Sequence, residues 1–360
     1  SLAVNQYFTY TGIDATGVPT GLTPIASETG GGVSPNGEYG QAPDPKTVSA
    51  KNIKSEYQDE YILGFDHQFD PAWVWGMKAT VRKLRNALDD ICDSNAVQDA
   101  ATAQGIDVTN VKVGGCYLAN PGRANVYQLA KTGGGYADVT VTNADYGFTH
   151  LVRNYYGLDT YLSHPFDGTW SAKIDYLYSH SYGNTEGQVR SDINQPSVSA
   201  TRDWDYASLM EFANGVLPND RKHQLKLYGS YQIAPEWMLS ANITVLSGSP
   251  KSCLGMYGID QTDPVDYGSF YHYCDGKPSR PGDKGRNPWQ EIVTVSGEYR
   301  PEWAGKKLGF NVMVYNLFNQ QRVDWVNPVY GSTKVVSLAY DEVEFYETPR
   351  YVRFGVTYDF

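Results

Sequence analysis

The sequence contains no run of apolar residues as long as the roughly 18 that a membrane-spanning helix requires. It also has no surplus of basic residues, because 29 Lys and Arg stand against 40 Asp and Glu, for a net charge of -11. Phosphate backbones need clustered positive charge, so this balance excludes a nucleic-acid binder. The first ten residues, SLAVNQYFTY, have neither the basic start nor the apolar stretch of a signal peptide. We therefore expect either that a signal was removed or that the chain begins partway through a longer protein.

Motifs of catalysis are missing as well. The six histidines include no HExxH pattern, and none lies beside a plausible nucleophile motif. There is no CxxC pair of the kind that zinc sites use, so the sequence predicts no zinc site. The sequence therefore predicts a protein that is not an enzyme and has no cofactor.

Cysteine is scarce, with four residues that form two local pairs in polar, Gly- and Asp-rich stretches. Cys92 lies near Cys116, and Cys253 lies near Cys274. Such spacings suit disulfides that close single loops in an oxidising compartment. The sequence predicts these two disulfides, against the alternative of four reduced thiols.

Tyrosine and glycine are plentiful, with 29 and 36 residues, and apolar side chains alternate with polar ones in many long runs. In SEYQDEYILGFDHQF, residues 55–69, the side chains of Tyr61, Leu63 and Phe65 share one face. This alternation predicts nine strands, each longer than an ordinary strand, with a possible tenth at 2–10. The nine runs are 55–69, 72–85, 150–163, 169–182, 221–232, 236–247, 289–300, 307–319 and 348–360.

The connections between these runs alternate strictly between short and long. The short ones are DP, HPFDG, IAP and PEWAGK, whereas the long ones occupy 86–149, 183–220, 248–288 and 320–347. Short turns at one end and long loops at the other are typical of an outer-membrane β-barrel, with a polar face toward the lumen and an apolar face toward lipid. A soluble β-sandwich has shorter strands and no reason to sort loops by length, and a propeller would show a repeated blade motif. The sequence therefore predicts an all-β, transmembrane, antiparallel up-and-down barrel with long extracellular loops.

The last run, YVRFGVTYDF, ends on an aromatic residue and without a polar tail. We expect it to be a closing strand with its phenylalanine at the periplasmic aromatic girdle, and to be the segment that barrel assembly engages. Its lipid-facing residues would be Val352, Phe354, Val356, Tyr358 and Phe360.

Several segments resemble a known family. NLFN, formed by Asn316, Leu317, Phe318 and Asn319, is similar to a signature of TonB-dependent receptors, and the terminal aromatic strand is similar to theirs. Residues 57–69, 217–232 and 280–300 further resemble the Oar-like subfamily, so that the resemblance covers most of 55–360.

The resemblance implies a plugged barrel of about 22 strands. These 360 residues would then be its C-terminal part, because they show no plug-like region and only nine or ten strands. Open sheet edges are not tolerated in lipid, so the remaining strands would come from residues absent here or from a partner chain. The implied partners are outer-membrane lipid and the TonB complex, which would act through an N-terminal plug.

The implied function is TonB-dependent transport, across the outer membrane, of a large or scarce solute such as a peptide or protein, a carbohydrate or a metal chelate. An alternative of a different class is a display or adhesive barrel that binds a partner through disulfide-stapled loops. The sequence upstream of Ser1 would separate these two functions, since only a transporter needs a plug.

Two features of the predicted loops could bind ligands. Tyr257, Tyr267, Tyr271 and Tyr273 lie in a Tyr-, Gly- and Asp-rich loop that suits either ligand recognition or packing between loops. Acidic clusters could bind calcium, although none has EF-hand spacing and solvated loop charge is the simpler interpretation. These clusters are Asp89, Asp90 and Asp93; Asp260, Asp263 and Asp266; and Asp341, Glu342, Glu344 and Glu347.

Overall fold

A computed structural model describes residues 8–24, 45–109, 113–197 and 200–360. Nine long strands, here named β1 to β9, form one antiparallel sheet in which each strand pairs with the next along the chain. The predicted up-and-down arrangement is therefore confirmed within this part of the chain. The nine strands are β1 (Tyr57–Asp70), β2 (Trp73–Asn86), β3 (Arg153–His164), β4 (Trp170–Gly183), β5 (His223–Ala234), β6 (Trp237–Leu246), β7 (Gln290–Tyr299), β8 (Leu308–Tyr315) and β9 (Tyr351–Tyr358).

The possible tenth strand at 2–10 lies partly outside the described residues. Its described end, Phe8–Thr9, pairs with Thr23–Pro24 in a separate two-stranded sheet. Within the described residues, β1 and β9 therefore lie at the two edges of the large sheet.

Cross-strand register gives the sheet two chemically different faces. Leu63 pairs with Ala79, which pairs with Leu158, which in turn pairs with Tyr178. Because side chains alternate along a strand, this register brings the apolar residues of all nine strands to one face, the apolar face. Large side chains on it stay exposed, for example Leu63 at 80% and Phe354 at 76%. Soluble proteins rarely expose an apolar surface that is continuous over a whole sheet.

The opposite face, the polar face, carries charged side chains of both signs. Arg82 contacts Glu60 at 2.5 Å, and Lys173 contacts Asp175 at 2.9 Å. Further charged and amide residues that the register places on this face are Lys78, Arg153, Asp159, Lys226, Glu298, Asn311 and Arg353. The predicted separation into apolar and polar faces is thus present.

Two groups of aromatic rings lie at the end of the sheet where the connections are short. His164 stacks on Trp170 with ring centroids 3.9 Å apart, and Trp73 packs edge-on against both rings. Trp237 stacks on Tyr299 at 4.5 Å beside the next short connection. Aromatic residues beside these short connections therefore form contacting groups.

The connections at the two ends differ in size, as predicted. Residues 71–72, 165–169, 235–236 and 300–307 form the short turns, the last of which contains the 3₁₀ turn Glu302–Ala304. Residues 87–152, 184–222, 247–289 and 316–350 form the long ones, here named loops L1, L2, L3 and L4. No helix among the described residues is long and apolar enough to cross a membrane.

The long loops contain most of the remaining regular structure. L1 has strands Asp89–Ile91, Tyr117–Ala119, Asn125–Ala130 and Tyr136–Val141 and helices Ser94–Ala103 and Asn143–Tyr146. L2 has Ser191–Ile193 (3₁₀), helix Ala207–Met210 and strand Gly215–Val216; L3 has strands Leu254–Gly255, Tyr273–Cys274 and Lys277–Pro278; L4 has strands Val323–Val326, Val329–Gly331 and Val343–Tyr346. Before β1 lie strands Gly12–Ile13 and Pro19–Thr20 and helix Pro45–Val48.

The buried hydrophobic clusters of the described residues lie in the loops and not in the sheet. One cluster is built mainly from L1, with Ala50 and three residues of L2. A smaller one joins Leu209 of L2 to Tyr271 and Tyr273 of L3. A single curved sheet has no second layer to pack against, so the loops supply the enclosed volume in which apolar side chains can be buried.

Candidate functional site

The four long loops leave the same end of the sheet and pack together there as a loop layer. L1 folds as a small domain around its helix Ser94–Ala103, which begins with the Asp93 side chain accepting a hydrogen bond from the Ala96 backbone N–H. The predicted disulfide Cys92–Cys116 is present beside this helix. A buried pair of tyrosines, Tyr127 and Tyr146, shares a 2.7 Å hydroxyl hydrogen bond in the L1 core.

L2 completes the core of L1. Trp204 is fully buried there, 5.3 Å from Phe148 in an edge-on contact. The Cys92 backbone N–H donates to the Asp205 carbonyl, and the Thr201 hydroxyl donates to Asp89 across the same junction. L1 therefore owes part of its hydrophobic core to a residue more than 50 positions beyond its end.

L3 contains the tyrosines that the sequence singled out, and they pack between loops. Tyr271 is fully buried and Tyr273 is 6% exposed. Three of the four phenol groups donate to carboxylates: Tyr257 to Glu211, Tyr267 to Asp205 and Tyr271 to Asp263, at 2.5–2.6 Å. The hydrogen bond to Glu211 raises the pKa of Tyr257 to about 12, so this hydroxyl remains protonated and donates at neutral pH. The contacts with Glu211 and Asp205 fix L3 on L2, whereas the contact with Asp263 lies within L3. A ligand-binding role for the tyrosines stays a prediction.

L4 is fastened to the others by strand pairing and by charge. Leu254–Gly255 of L3 pairs in parallel with Val329–Gly331 of L4. The second predicted disulfide, Cys253–Cys274, closes L3 next to this pairing. Arg221 of L2 contacts Asp324 of L4 at 2.5 Å. The loop layer is thus one connected body rather than four independent loops.

Buried charge concentrates where L1, L2 and L3 meet. Arg190 is 4% exposed and contacts both Asp192 and Asp203 at 2.9 Å. Nearby, burial raises the pKa of Asp89 to about 9 and that of Asp205 to about 7. Among the described residues, one carboxylate oxygen of each of these two side chains is buried without a hydrogen-bond partner, which agrees with a protonated carboxyl group.

The acidic clusters that suggested calcium use their side chains in several different ways. Asp93 caps a helix, Asp263 accepts from backbone N–H groups and from Tyr271, and Asp341 pairs with Lys251. Within the described ranges, one group of three potential ligand side chains comes within 4.8 Å, namely Asp90 with Cys92 and Cys116. Those two sulfurs form a disulfide and are not thiolate ligands. A calcium site in the loops therefore stays a prediction.

The NLFN segment joins the end of β8 to the start of β9. Asn316 is 2% exposed; its amide donates to the carbonyls of Gln320 and Thr348 and accepts from the Gln320 N–H. Asn319 accepts from the Arg350 backbone N–H at 2.9 Å. Both asparagines have left-handed backbones, with φ of 48° and 51°, a conformation that Asn tolerates better than most residues. Through these hydrogen bonds the motif holds the chain segment that leads into β9. Phe318, between the two asparagines, is 65% exposed.

The residues named for the last strand lie on the apolar face. Val352, Phe354, Val356 and Tyr358 pair in register with apolar residues of β8 and are 49%, 76%, 68% and 54% exposed. Phe360 follows the end of β9 and packs edge-on against Tyr358. A role of these residues in barrel assembly stays a prediction.

Two kinds of concave surface occur in the described structure. A groove of about 840 Å³ lies on the apolar face, where Gly229, Ala241 and Gly297 leave space between larger side chains. Its walls are almost entirely apolar, so they offer little to fix a ligand's orientation. Cavities of about 500 and 320 Å³ open in the loop layer and combine apolar and polar walls. The loop layer is therefore the candidate functional site.

Comparison with known proteins gives one clear relative. No family model matches the chain. The chain is 29% identical over 351 residues to the TonB-dependent transporter Oar of Myxococcus xanthus, an alignment that covers 86% of this chain. It spans only 29% of that relative's length. The predicted resemblance to Oar-like TonB-dependent receptors is confirmed.

Solved structures with a similar arrangement of strands include a transporter and a receptor. The outer membrane transporter YddB of Escherichia coli is 10% identical with a TM-score of 0.49, covering 87% of this chain and 34% of that one. The siderophore receptor PiuA of Acinetobacter baumannii is 12% identical with a TM-score of 0.45, covering 89% and 31%. These TM-scores are too low to support a conclusion about this chain. The description of the sheet rests on the strand pairing given above.

Proposed function

We propose that this chain is the C-terminal part of the β-barrel of a TonB-dependent transporter in the outer membrane. The observation that carries the proposal is the combination of sequence similarity with topology. The chain shares 29% identity with a named TonB-dependent transporter, and its nine-stranded sheet has long loops at one end only. The chain spans only a minor share of that transporter's length. Transport by the whole protein is therefore part of the proposal.

The two faces of the sheet would meet different surroundings. The apolar face would contact outer-membrane lipid, since exposed aromatic and branched side chains cover it from β1 to β9. The polar face, with charges of both signs, would line the lumen and contact a plug. The plug, the segment that contacts TonB and the remaining strands would come from residues outside this chain, or the strands from a partner chain.

The loop layer would capture the solute at the cell surface. Its loops are tied together by Trp204, by the L3–L4 strand pairing and by the ion pair between Arg221 of L2 and Asp324 of L4, so that the layer offers preformed cavities. A rigid surface of this kind loses little entropy on binding. TonB would then act on the plug to release the solute inward, and we infer that this chain performs no covalent chemistry.

The transport proposal is tested by uptake into whole cells. Labelled peptides, oligosaccharides and ferric chelates are offered to the wild-type strain, to a strain lacking this protein and to a strain lacking TonB. We expect accumulation of one of these solutes to fall to background in both deletion strains. Accumulation that is lost without this protein but persists without TonB would refute the proposal.

The display alternative predicts a different outcome of the same experiment. Deleting a purely adhesive barrel leaves the uptake of every solute unchanged and reduces attachment to a surface or to other cells. The comparisons give this alternative no support, because the relative is named as a transporter.

A further inference from the structure

A cavity of about 500 Å³ opens at the loop end of β3 and β4, where L1, L2 and L3 meet. His150 belongs to L1, Met210, Phe212 and Asn214 belong to L2, and Arg280 belongs to L3. Its volume lies within the range of small-molecule binding sites, about 300–1,000 Å³.

The walls of this cavity are held in place. The side-chain amide of Asn184 donates to the His150 carbonyl at 2.8 Å and accepts from the Val152 N–H at 2.9 Å, which fixes the L1 wall on the end of β4. Phe212 has a left-handed backbone, φ 62°, and packs edge-on against Tyr273. Bulky residues adopt this conformation rarely, and such strain is found preferentially at ligand clamps and active sites.

Three polar side chains of the cavity, those of His150, Asn214 and Arg280, have groups without partners among the described residues. The Arg280 side chain makes no hydrogen bond or ion pair with the described residues, since Asp283 contacts only its backbone N–H. The Oδ1 atom of Asn214 is buried and has no hydrogen-bond donor. By contrast, Glu211, which also lines the cavity, is engaged by the Tyr257 hydroxyl. The groups free to meet a ligand are therefore the solvent-exposed Arg280 guanidinium, the solvent-exposed His150 imidazole and the buried Asn214 Oδ1 atom.

We propose that this cavity binds a small ligand that has a carboxylate group and, a few atoms away, an N–H or O–H donor. The Arg280 guanidinium would hold the carboxylate in a bidentate pair, a geometry that arginine matches and lysine does not. Asn214 would accept from the donor, and Met210 and Phe212 would contact the apolar part. The proposal rests on the proposed transport function, of which this site would be a surface-binding step.

The chemistry described fits both the C-terminal carboxylate of a short peptide and the carboxylate of a sugar acid. The test therefore uses two probes with matched neutral forms: a randomised tripeptide pool with free carboxylates or amidated ends, and glucuronate trisaccharide or its methyl ester. The purified full-length protein in detergent is incubated with each probe, and the bound material is quantified by mass spectrometry after gel filtration. We expect one acid probe to be retained at least tenfold over its neutral form.

Variants then assign the binding to this cavity. Arg280→Met should lower retention of that probe at least tenfold, Arg280→Lys should lower it less, and Asn214→Leu should lower retention of the acid probe while leaving its advantage over the neutral form. Lys277→Met removes the same charge from a neighbouring exposed position of L3 and should change retention by less than twofold. Equal retention of acid and neutral probes, retention of neither acid probe, or wild-type binding by Arg280→Met would each overturn the proposal.

This experiment separates the site from the transport function. Binding in detergent does not need TonB. Retention of an acid probe together with TonB-independent uptake would therefore support the binding site and refute the transport function. If uptake depends on TonB and Arg280→Met leaves it unchanged, the transport function is supported and the binding site is refuted.

Discussion

At the scale of single residues, the loop layer contains groups whose protonation differs between the folded and unfolded chain. Asp89 is 1% exposed, close to Asp90 and Asp203, and burial raises its pKa to about 9. In the unfolded chain it ionises near 3.8. Between these two values the folded state retains a proton that the unfolded state has lost, so this residue's contribution to stability is greatest below about pH 4 and falls as the pH rises toward 9.

We therefore expect L1 to become less resistant to protease as the pH rises from 6 to 9, after correction for the pH dependence of the protease. Asp89→Asn should flatten that dependence, because the amide cannot ionise and its oxygen can still accept from Thr201. Asp99→Asn, an exposed change in the same loop, serves as the control. Identical pH slopes for the wild type and Asp89→Asn would show that the buried carboxyl does not control the opening of L1.

Asn316 provides a second prediction at this scale. Asn316→Ala removes three hydrogen bonds made by a side chain that is almost completely buried. It also places alanine, which tolerates the left-handed backbone conformation less well than asparagine, at a position with positive φ. Together these losses should lower stability by about 3 kcal/mol. The measurement is the temperature at which the heat-modifiable band is lost on gels. Phe318→Ala, at an exposed position of the same motif, should shift that temperature much less. Equal shifts would contradict the stabilising role of the Asn316 hydrogen bonds.

At the scale of elements, strands were predictable and loop interiors were not. The alternation of apolar and polar residues that marks a strand depends only on neighbouring positions in the sequence. The bounds of β1 to β9 therefore agree with the predicted runs to within a few residues. The two disulfides were also predictable from local spacing. The insertion of Trp204 into L1, in contrast, depends on contacts between distant loops for which the sequence contains no periodic signal.

The Cys92–Cys116 disulfide should stabilise L1 specifically. Replacing both cysteines with alanine releases a loop of about 25 residues, for which chain entropy alone predicts a loss of about 3.5 kcal/mol. We expect limited proteolysis to cut first within residues 87–120, while the gel mobility of the folded sheet stays unchanged. The matched replacement of Cys253 and Cys274 should expose L3 and leave L1 resistant. Simultaneous loss of both loops in either variant would mean that the layer opens as one unit.

At the scale of the whole molecule, the fold and the position of the long loops could be predicted from the sequence, but the cavity within the loop layer could not. The alternation of short and long connections predicted which segments share an end of the sheet. The cavity beside Arg280 needed three-dimensional information, because its walls come from three loops separated by two strand hairpins. Arg280, Asn214 and Phe212 lie in no shared motif, and nothing in the sequence identified them together.

The proposed orientation predicts which connections are accessible from outside the cell. Gly134 lies at the tip of an L1 hairpin and Gly168 lies in a short turn; neither has a neighbour within 4 Å of a Cβ position. A short epitope inserted at either glycine should therefore be tolerated. Antibody should label intact cells with the epitope at Gly134, and label cells with the epitope at Gly168 only after permeabilisation. The reverse pattern would invert the orientation.

Both disulfides join cysteines of the same loop, Cys92 to Cys116 and Cys253 to Cys274, and neither links two strands of the sheet. This arrangement has a consequence for the order of events during biogenesis. Each bridge closes between thiols that lie only 24 or 21 positions apart, so oxidation does not have to wait until any strand has found its neighbour. A chain still in transit can therefore carry both bridges already closed, so oxidation of the loops does not require the assembled sheet.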